Sequence, residues 1–142
     1  MGTNEQFMHS ELTQGIVGVF YEVYNELGTG FIESVYENSL CFALRSNGFE
    51  VLQQVAVPVW FRGIRVGSFE ADLLVNGCVF LELKAVRTVD PSHVAQLLNY
   101  LKATDIEVGL LLNFGSRPEV KRLAFGNVRK NEQRLTNALE NL

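Results

Sequence analysis

From Ser10 to Leu27 apolar residues recur every three or four positions, at Leu12, Ile16, Val19, Phe20, Val23 and Leu27, and Gly28 follows where a helix ends in a left-handed residue. The spacing predicts a helix. A second helical pattern, through Ile32, Val35, Tyr36, Cys41, Ala43 and Leu44, begins after a Gly-Thr-Gly connector and stops at Asn47-Gly48. Between Phe49 and Phe61 the period changes to two, as in a strand with one face on a core. The next strand starts after Arg62-Gly63 with Ile64 and Val66 apolar, then changes phase to Phe69, Ala71, Leu73 and Val75, so a bulge is expected near Gly67-Ser68. A third strand, Cys78 to Val86, follows Asn76-Gly77. Asp90-Pro91-Ser92 carries helix-start chemistry, and Val94, Leu97, Leu98 and Leu101 form the buried stripe of a helix reaching about Ala103. Glu107 to Phe114 is a continuous apolar run, expected of a strand covered on both faces. Glu119 to Phe125 reads as an edge strand, and the polar tail from Gly126 carries a weak amphipathic pattern at Val128, Leu135, Leu139 and Leu142. The order α-α-β-β-β-α-β-β implies an α/β fold with a mixed sheet, and residues 1–142 read as a single domain.

Three charges interrupt this pattern where it is most apolar. Ala71 to Ala85 reads ADLLVNGCVFLELKA, and Asp72, Glu82 and Lys84 would lie in central strands, where a charge is costly unless paired or metal-bound. A two-residue type I′ turn at Asn76-Gly77 would pair Val75 with Cys78 and split the charges between faces. A three-residue loop, Val75-Asn76-Gly77, pairs Leu74 with Cys78 and Asp72 with Phe80 instead. Glu70, Asp72, Glu82 and Lys84 then share one face, and Ala71, Leu73, Val75, Val79, Leu81, Leu83 and Ala85 share an apolar one. Because a one-residue slip exchanges faces, the register with the apolar face is the expected one. It makes Asp72 and Glu82 diagonal neighbours about 7–8 Å apart at the backbone. A divalent cation such as Mg²⁺, which takes one or two carboxylates, fits between them; Lys84 is placed to polarise a water, and the Leu83 carbonyl is a further ligand. A solvated sheet face carrying Glu-Lys pairs would show the same spacing.

Composition narrows the alternatives. The 142 residues are 47% hydrophobic and 20% charged, ordinary for a soluble globular domain, and no apolar run reaches the length of a membrane span. The first residues lack a secretory signal's basic and apolar regions, so the cytoplasm is the expected compartment. Cys41 and Cys78 are far apart and read as reduced core thiols; His9 and His93 are isolated, which leaves no zinc signature. The net charge of −4 argues against a protein that coats nucleic acid by bulk electrostatics.

Gly30-Phe31-Ile32-Glu33-Ser34-Val35-Tyr36 resembles the motif that names the GxxExxY family, grouped with the PD-(D/E)xK nucleases of restriction-endonuclease-like fold. The resemblance continues through ADLLVNGCVFLELKAV, AQLLNYL and GLLLNFG and covers about residues 12–125, leaving 126–142 as an extension. It implies that Asp72 and Glu82 hold Mg²⁺ or Mn²⁺, that Lys84 assists the attacking water, that Glu33 is the acid of the first core helix, and that Gln96 is the polar residue the second core helix turns toward the site. Tyr36 and Tyr100 match accessory positions. Tyr24 stands where members often have histidine after Glu-Val.

Each residue has a structural reading too. An acid in a helix's first turn, as at Glu33, is favoured by the helix dipole alone; Tyr36 suits a core; His93, Gln96 and Tyr100 would make a polar stripe. The reading is a metal-dependent nuclease acting on DNA or RNA. Its rivals are a module that keeps the fold and binds nucleic acid or protein without cutting, and a dimerising domain with the C-terminal segment as partner helix.

Overall fold

The computed structural model describes residues 5–141. After a short turn of 3-10 helix (Glu5–Phe7) come α1 (Ser10–Leu27), α2 (Glu33–Ser46), β1 (Val51–Phe61), β2 (Ile64–Val75), β3 (Val79–Lys84), α3 (Pro91–Ala103), β4 (Val108–Phe114), β5 (Pro118–Ala124) and α4 (Asn127–Glu140). The expected order holds through β5, and the weakly patterned tail is a full helix.

The strands form one sheet in chain order. β3 and β4 are parallel and every other neighbour pair is antiparallel, so the sheet is mixed. Parallel neighbours need a long crossover, which α3 supplies. Its start uses Asp90 as predicted: the Asp90 carboxylate accepts from Ser92 N–H at 2.8 Å while Asp90 N–H donates to His93 Nδ1. All seven residues of β4 are buried, as its unbroken apolar run implies.

Helices cover both faces. α1 and α2 pack Ile16, Phe20, Tyr36, Leu40 and Leu44 against Leu73, Leu81, Leu83, Leu110, Leu112 and Phe114. On the other face α3 packs Leu97, Tyr100 and Leu101 against Val57, Ala71, Phe80 and Leu111. α4 is held at its first turns, where the buried Lys130 ammonium donates to the carbonyls of Thr104 and Ile106 beyond the end of α3. No helix among the described residues is long and apolar enough to cross a membrane.

Three expectations are corrected. The hairpin loop is odd-numbered but displaced by one residue: Val75 pairs with Val79 and Leu74 with Phe80, leaving Asn76-Gly77-Cys78 between the strands. Asn76 and Gly77 are both left-handed, at φ 51° and 64°, and Cys78 N–H bonds to the Val75 carbonyl as in a two-residue turn, with Cys78 as an added residue. Asn76 is pinned by a reciprocal pair of bonds with the Glu50 backbone, each 2.8 Å, which fixes the turn there. Cys78 is therefore half-buried at a turn, and Cys41 alone is a fully buried thiol.

Second, β2 does not keep one apolar face. Leu73 and Val75 pack under α1 and α2, whereas Ala71 and Phe69 pack under α3. β1 changes sides at the same row, with Val51 in the first layer and Val57 in the second. The crossing falls at Gln54 and Asp72, where the paired rows are interrupted between Gln53↔Leu73 and Val55↔Ala71 and Gln54 takes a left-handed φ of 52°. Alternation is a local rule, and a single left-handed residue cancels it. Consequently Gln53 and Gln54, which an ideal strand would point apart, both donate to the Glu37 carboxylate on α2. Third, the bulge expected near Gly67-Ser68 sits one residue earlier: Val59 pairs with Gly67 and Trp60 with Arg65, so Val66 is the extra residue.

Candidate active site

The row at which the hairpin changes sides is also where β2 parts from β3. Their pairing ends at Leu73↔Leu81, and one further row by the same count sets Asp72 opposite Glu82, closer than the diagonal relation expected. Freed from a ladder partner, Leu83 N–H donates to Asp72 Oδ2 at 2.8 Å. In a strand the N–H and C=O of one residue point to the same edge, so the Leu83 carbonyl is directed into the same opening.

Glu82 lies on the α3 side of β3, two residues beyond Phe80, and is buried. Its Oε2 is 2.9 Å from the Tyr100 hydroxyl. That hydroxyl also lies 3.1 Å from the Glu70 carbonyl and accepts from Gln96 Nε2 at 2.9 Å. A phenol has a single proton to give. When Glu82 is ionised, Tyr100 donates to it; when Glu82 is protonated, the carboxyl donates to Tyr100 and Tyr100 donates to the Glu70 carbonyl. Both protonation states are thus hydrogen-bonded without rearrangement of the backbone.

Electrostatics favour the protonated state here. Burial, joined by the Asp72 carboxyl within hydrogen-bonding reach, pushes the Glu82 pKa up to about 8, against opposing pulls from the Tyr100 hydroxyl and the Lys84 charge. Burial and the Glu82 carboxylate likewise push the Tyr100 phenol well above its usual value. Two carboxyls forced together in a low-dielectric setting are an unmet demand for positive charge. Among the described residues no group of three or more acidic, imidazole or thiol side chains assembles. A two-carboxylate set joined by a backbone carbonyl suits Mg²⁺, which keeps most of its shell for water and phosphate, better than a cation needing an all-protein cage.

The structure therefore brings together Asp72, Glu82, Lys84, Tyr100 and Gln96, with Gln96 acting on Glu82 through Tyr100. Glu33 is not in this network: it is exposed in the first turn of α2. Its helix does begin at the same end of the sheet as Lys84, because Tyr36 stacks at 4.3 Å on Phe114, the last residue of β4, beside the Lys84↔Asn113 pair. Tyr36 lies on the opposite face from Glu82. Its hydroxyl donates to the Gly28 carbonyl at 2.6 Å and accepts from Phe31 N–H, closing the α1–α2 connector. Tyr24 donates to the Gly115 carbonyl on the same side of the molecule.

Asn113 was not among the residues singled out from sequence. It is fully buried; its side chain bonds both backbone groups of Val86 at 2.8 and 3.0 Å and donates to Glu119, which fixes the chain leaving β3 just beyond Lys84. Gly115 completes that clamp, since a Cβ there would meet the Val86 carbonyl oxygen. The signal available was an amide inside the otherwise apolar GLLLNF. The left-handed Gln54 had no such signal.

Comparison with known proteins agrees with this architecture. A family model described as the PD-(D/E)XK nuclease superfamily matches residues 10–123. Among solved structures, the crystal structure of SSO0001 is similar in fold, with a TM-score of 0.51 at 18% identity over 73% of this chain. The match spans 58% of that longer chain. No curated protein matches the sequence.

Proposed function

The chain belongs to the PD-(D/E)XK nuclease superfamily, and from that premise we propose that it is a metal-dependent phosphodiesterase that cleaves DNA or RNA, of the GxxExxY kind. The observation that carries the proposal is the convergence of Asp72 and Glu82 at the point where β2 and β3 separate, with the glutamate's pKa pushed up by burial and by its Asp72 neighbour. Mg²⁺ or Mn²⁺ held by Asp72, Glu82 and the Leu83 carbonyl would supply Lewis-acid charge for the phosphate oxygens and lower the pKa of water. The protein's own residues do the rest. Leu83 N–H orients Asp72, Tyr100 and Gln96 orient Glu82, and Lys84 projects from the same face to hold the attacking water or a phosphate oxygen. Glu33 is assigned an outer role, toward substrate entering at the Lys84 end of the sheet.

A non-cleaving binding module has no comparable support, since two carboxyls pressed together serve no purpose in binding a polyanion. The test is titration with Mg²⁺ or Mn²⁺ of wild type and Asp72→Ala, followed by calorimetry and by cleavage of mixed single- and double-stranded DNA and RNA. Asp72→Ala is expected to lose cleavage by about a thousandfold or more together with its metal affinity. Metal binding without cleavage of any substrate would favour the binding module; no metal binding by wild type would remove the proposal's basis.

A further inference from the structure

The β1–β2 hairpin continues past the point where β2 leaves β3, and among the described residues no third strand pairs with its far end. Trp60, Phe61, Ile64 and Val66 are each more than half exposed there. Such a tip is unusual for a chain of net charge −4 in a second respect: from Val51 to Phe69 there is no acidic residue, while Arg62 and Arg65 occupy the turn. Trp60 and Arg65 are cross-strand partners and share a face; Phe61 and Ile64 share the other, where the Arg62 guanidinium lies 5.0 Å from the centre of the Phe61 ring. Each face of the tip thus sets an aromatic surface beside a guanidinium.

The hairpin also borders α3. A groove between the hairpin and α3 is lined by Val59, Val66, Gly67, Phe69, Asn99 and Lys102. Phe69 at its inner end lies 5.8 Å, ring to ring, from Tyr100, which holds Glu82. Aromatic surface beside unopposed positive charge on an exposed tip suits one ligand chemistry, an unpaired nucleotide strand whose bases stack and whose phosphates are neutralised. Pairing of two such tips from two copies of the chain would set arginines against arginines, which disfavours self-association as the purpose of the patch.

We infer that the β1–β2 hairpin tip is a single-strand-binding platform, with bases stacked on Trp60 on one face and Phe61 on the other, and phosphates held by Arg62 and Arg65 beside them. The inference rests on the nuclease reading for its ligand class, and it can fail or hold separately from it. Trp60 is the chain's one tryptophan, so its fluorescence reports this site alone.

The full-length protein, in chelator to prevent cleavage, is titrated with an oligothymidylate of about twenty nucleotides and with a duplex of equal length, following both tryptophan emission and the anisotropy of labelled nucleic acid. Saturable quenching by the single strand, weaker with the duplex, is expected. Trp60→Ala should weaken single-strand binding about tenfold and Trp60→Phe should restore most of it, while Arg62→Ala with Arg65→Ala should lower the salt dependence by about one to two in slope. Circular dichroism establishes that each variant is folded. Oligonucleotide binding by anisotropy with unchanged tryptophan emission, or with unchanged affinity in Trp60→Ala, overturns the inference even if the protein cleaves with Mg²⁺. Concentration-dependent dimerisation abolished by Trp60→Ala, without loss of oligonucleotide affinity, overturns it in favour of a protein interface. Quenching as described with no cleavage under any metal upholds the platform and counts against the nuclease reading.

Discussion

Tyr36 and Tyr100 are both fully buried, both hydrogen-bonded through their hydroxyls, and each packs a helix onto the same sheet. They lie on opposite faces. Under α1 and α2, Tyr36 meets backbone: its hydroxyl satisfies Gly28 and Phe31 and its ring stacks on Phe114, in a layer built of apolar side chains. Under α3, Tyr100 meets a carboxyl, a glutamine and a lone carbonyl, and its own acidity is suppressed by burial and by the Glu82 carboxylate. One face uses a buried polar group to close the fold, where the partner is neutral and permanent. The other uses it to hold a buried carboxyl pressed against a second one, whose ionised form a cation would favour. Burial and hydrogen bonding are therefore shared by structural and functional tyrosines; a partner that titrates is what tells them apart.

The largest effect expected from this contrast is on stability as a function of pH. In the folded, metal-free chain Glu82 keeps its proton up to about pH 8, whereas in the unfolded chain it titrates near 4.5. Between those values the folded state binds more protons, so the Glu82 contribution makes stability fall as pH rises, and it is fully lost above the folded value. Glu82→Gln removes that slope. Denaturant unfolding in chelator should find the two proteins similar near pH 5 and the variant more stable near pH 8, by on the order of a few kcal/mol. Mg²⁺ should restore wild type at the higher pH and leave the variant unchanged. Parallel pH profiles for the two proteins would mean that Glu82 is not strained, and the contrast between faces would collapse.

A smaller effect separates the tyrosines themselves. Tyr36→Phe leaves the Gly28 carbonyl and Phe31 N–H without their partner and is expected to cost about 1–2 kcal/mol of stability, with cleavage by the folded fraction unchanged. Tyr100→Phe should cost less stability in metal-free protein at neutral pH, because a protonated Glu82 can turn to other acceptors, yet reduce cleavage about tenfold by loosening the carboxylate. Thermal unfolding and single-turnover cleavage, measured on the same preparations, check both. Equal losses of activity in the two variants would show that Tyr100 acts only through packing.

How far this was readable in the sequence varies by element. Helices α1 to α3 and the central strands were legible because their periods are clear and their ends marked, as with Asp90-Pro91-Ser92 and the unbroken β4 run, whereas α4 showed only a weak pattern. That Asp72 lies near Glu82 was legible, though as a diagonal neighbour with Phe80 as its partner, because parity survives a displaced turn: shifting the loop from Val75-Asn76-Gly77 to Asn76-Gly77-Cys78 moves the partner by two residues and brings Glu82 opposite. What could not be read was the crossing of the hairpin from one layer to the other. It depends on a left-handed glutamine, a residue type with no special liking for that region, held there by a carboxylate from a distant helix. Nothing in a strand's own pattern announces such a bond. For Tyr36 the sequence left a core place and an accessory role both open; the residue is buried, and its hydroxyl closes a connector.

That crossing supplies the smallest and most local prediction. Gln54 adopts φ 52° at the row facing Asp72, and its amide donates to Glu37 at 2.7 Å. A left-handed non-glycine residue stores about 1 kcal/mol or more, and a solvent-exposed hydrogen bond returns about half of that or less. Gln54→Gly relieves the strain, loses the bond and raises the entropy of the unfolded chain, three terms that nearly cancel, so its stability should lie within about 0.5 kcal/mol of wild type. Gln54→Val brings a branched Cβ to the same φ and should cost about 1–2 kcal/mol, or push β1 back to an extended conformation. In the second event the hairpin can no longer change sides at that row, and Asp72 turns away from the opening it shares with Glu82. Unfolding measurements paired with Mg²⁺ titration distinguish the two: strain alone lowers stability with metal affinity intact, whereas a re-straightened strand weakens metal binding as well. Intact affinity in a Gln54→Val protein of undiminished stability would show that Asp72 is held by Leu83 N–H alone and that the left-handed residue is incidental to the site.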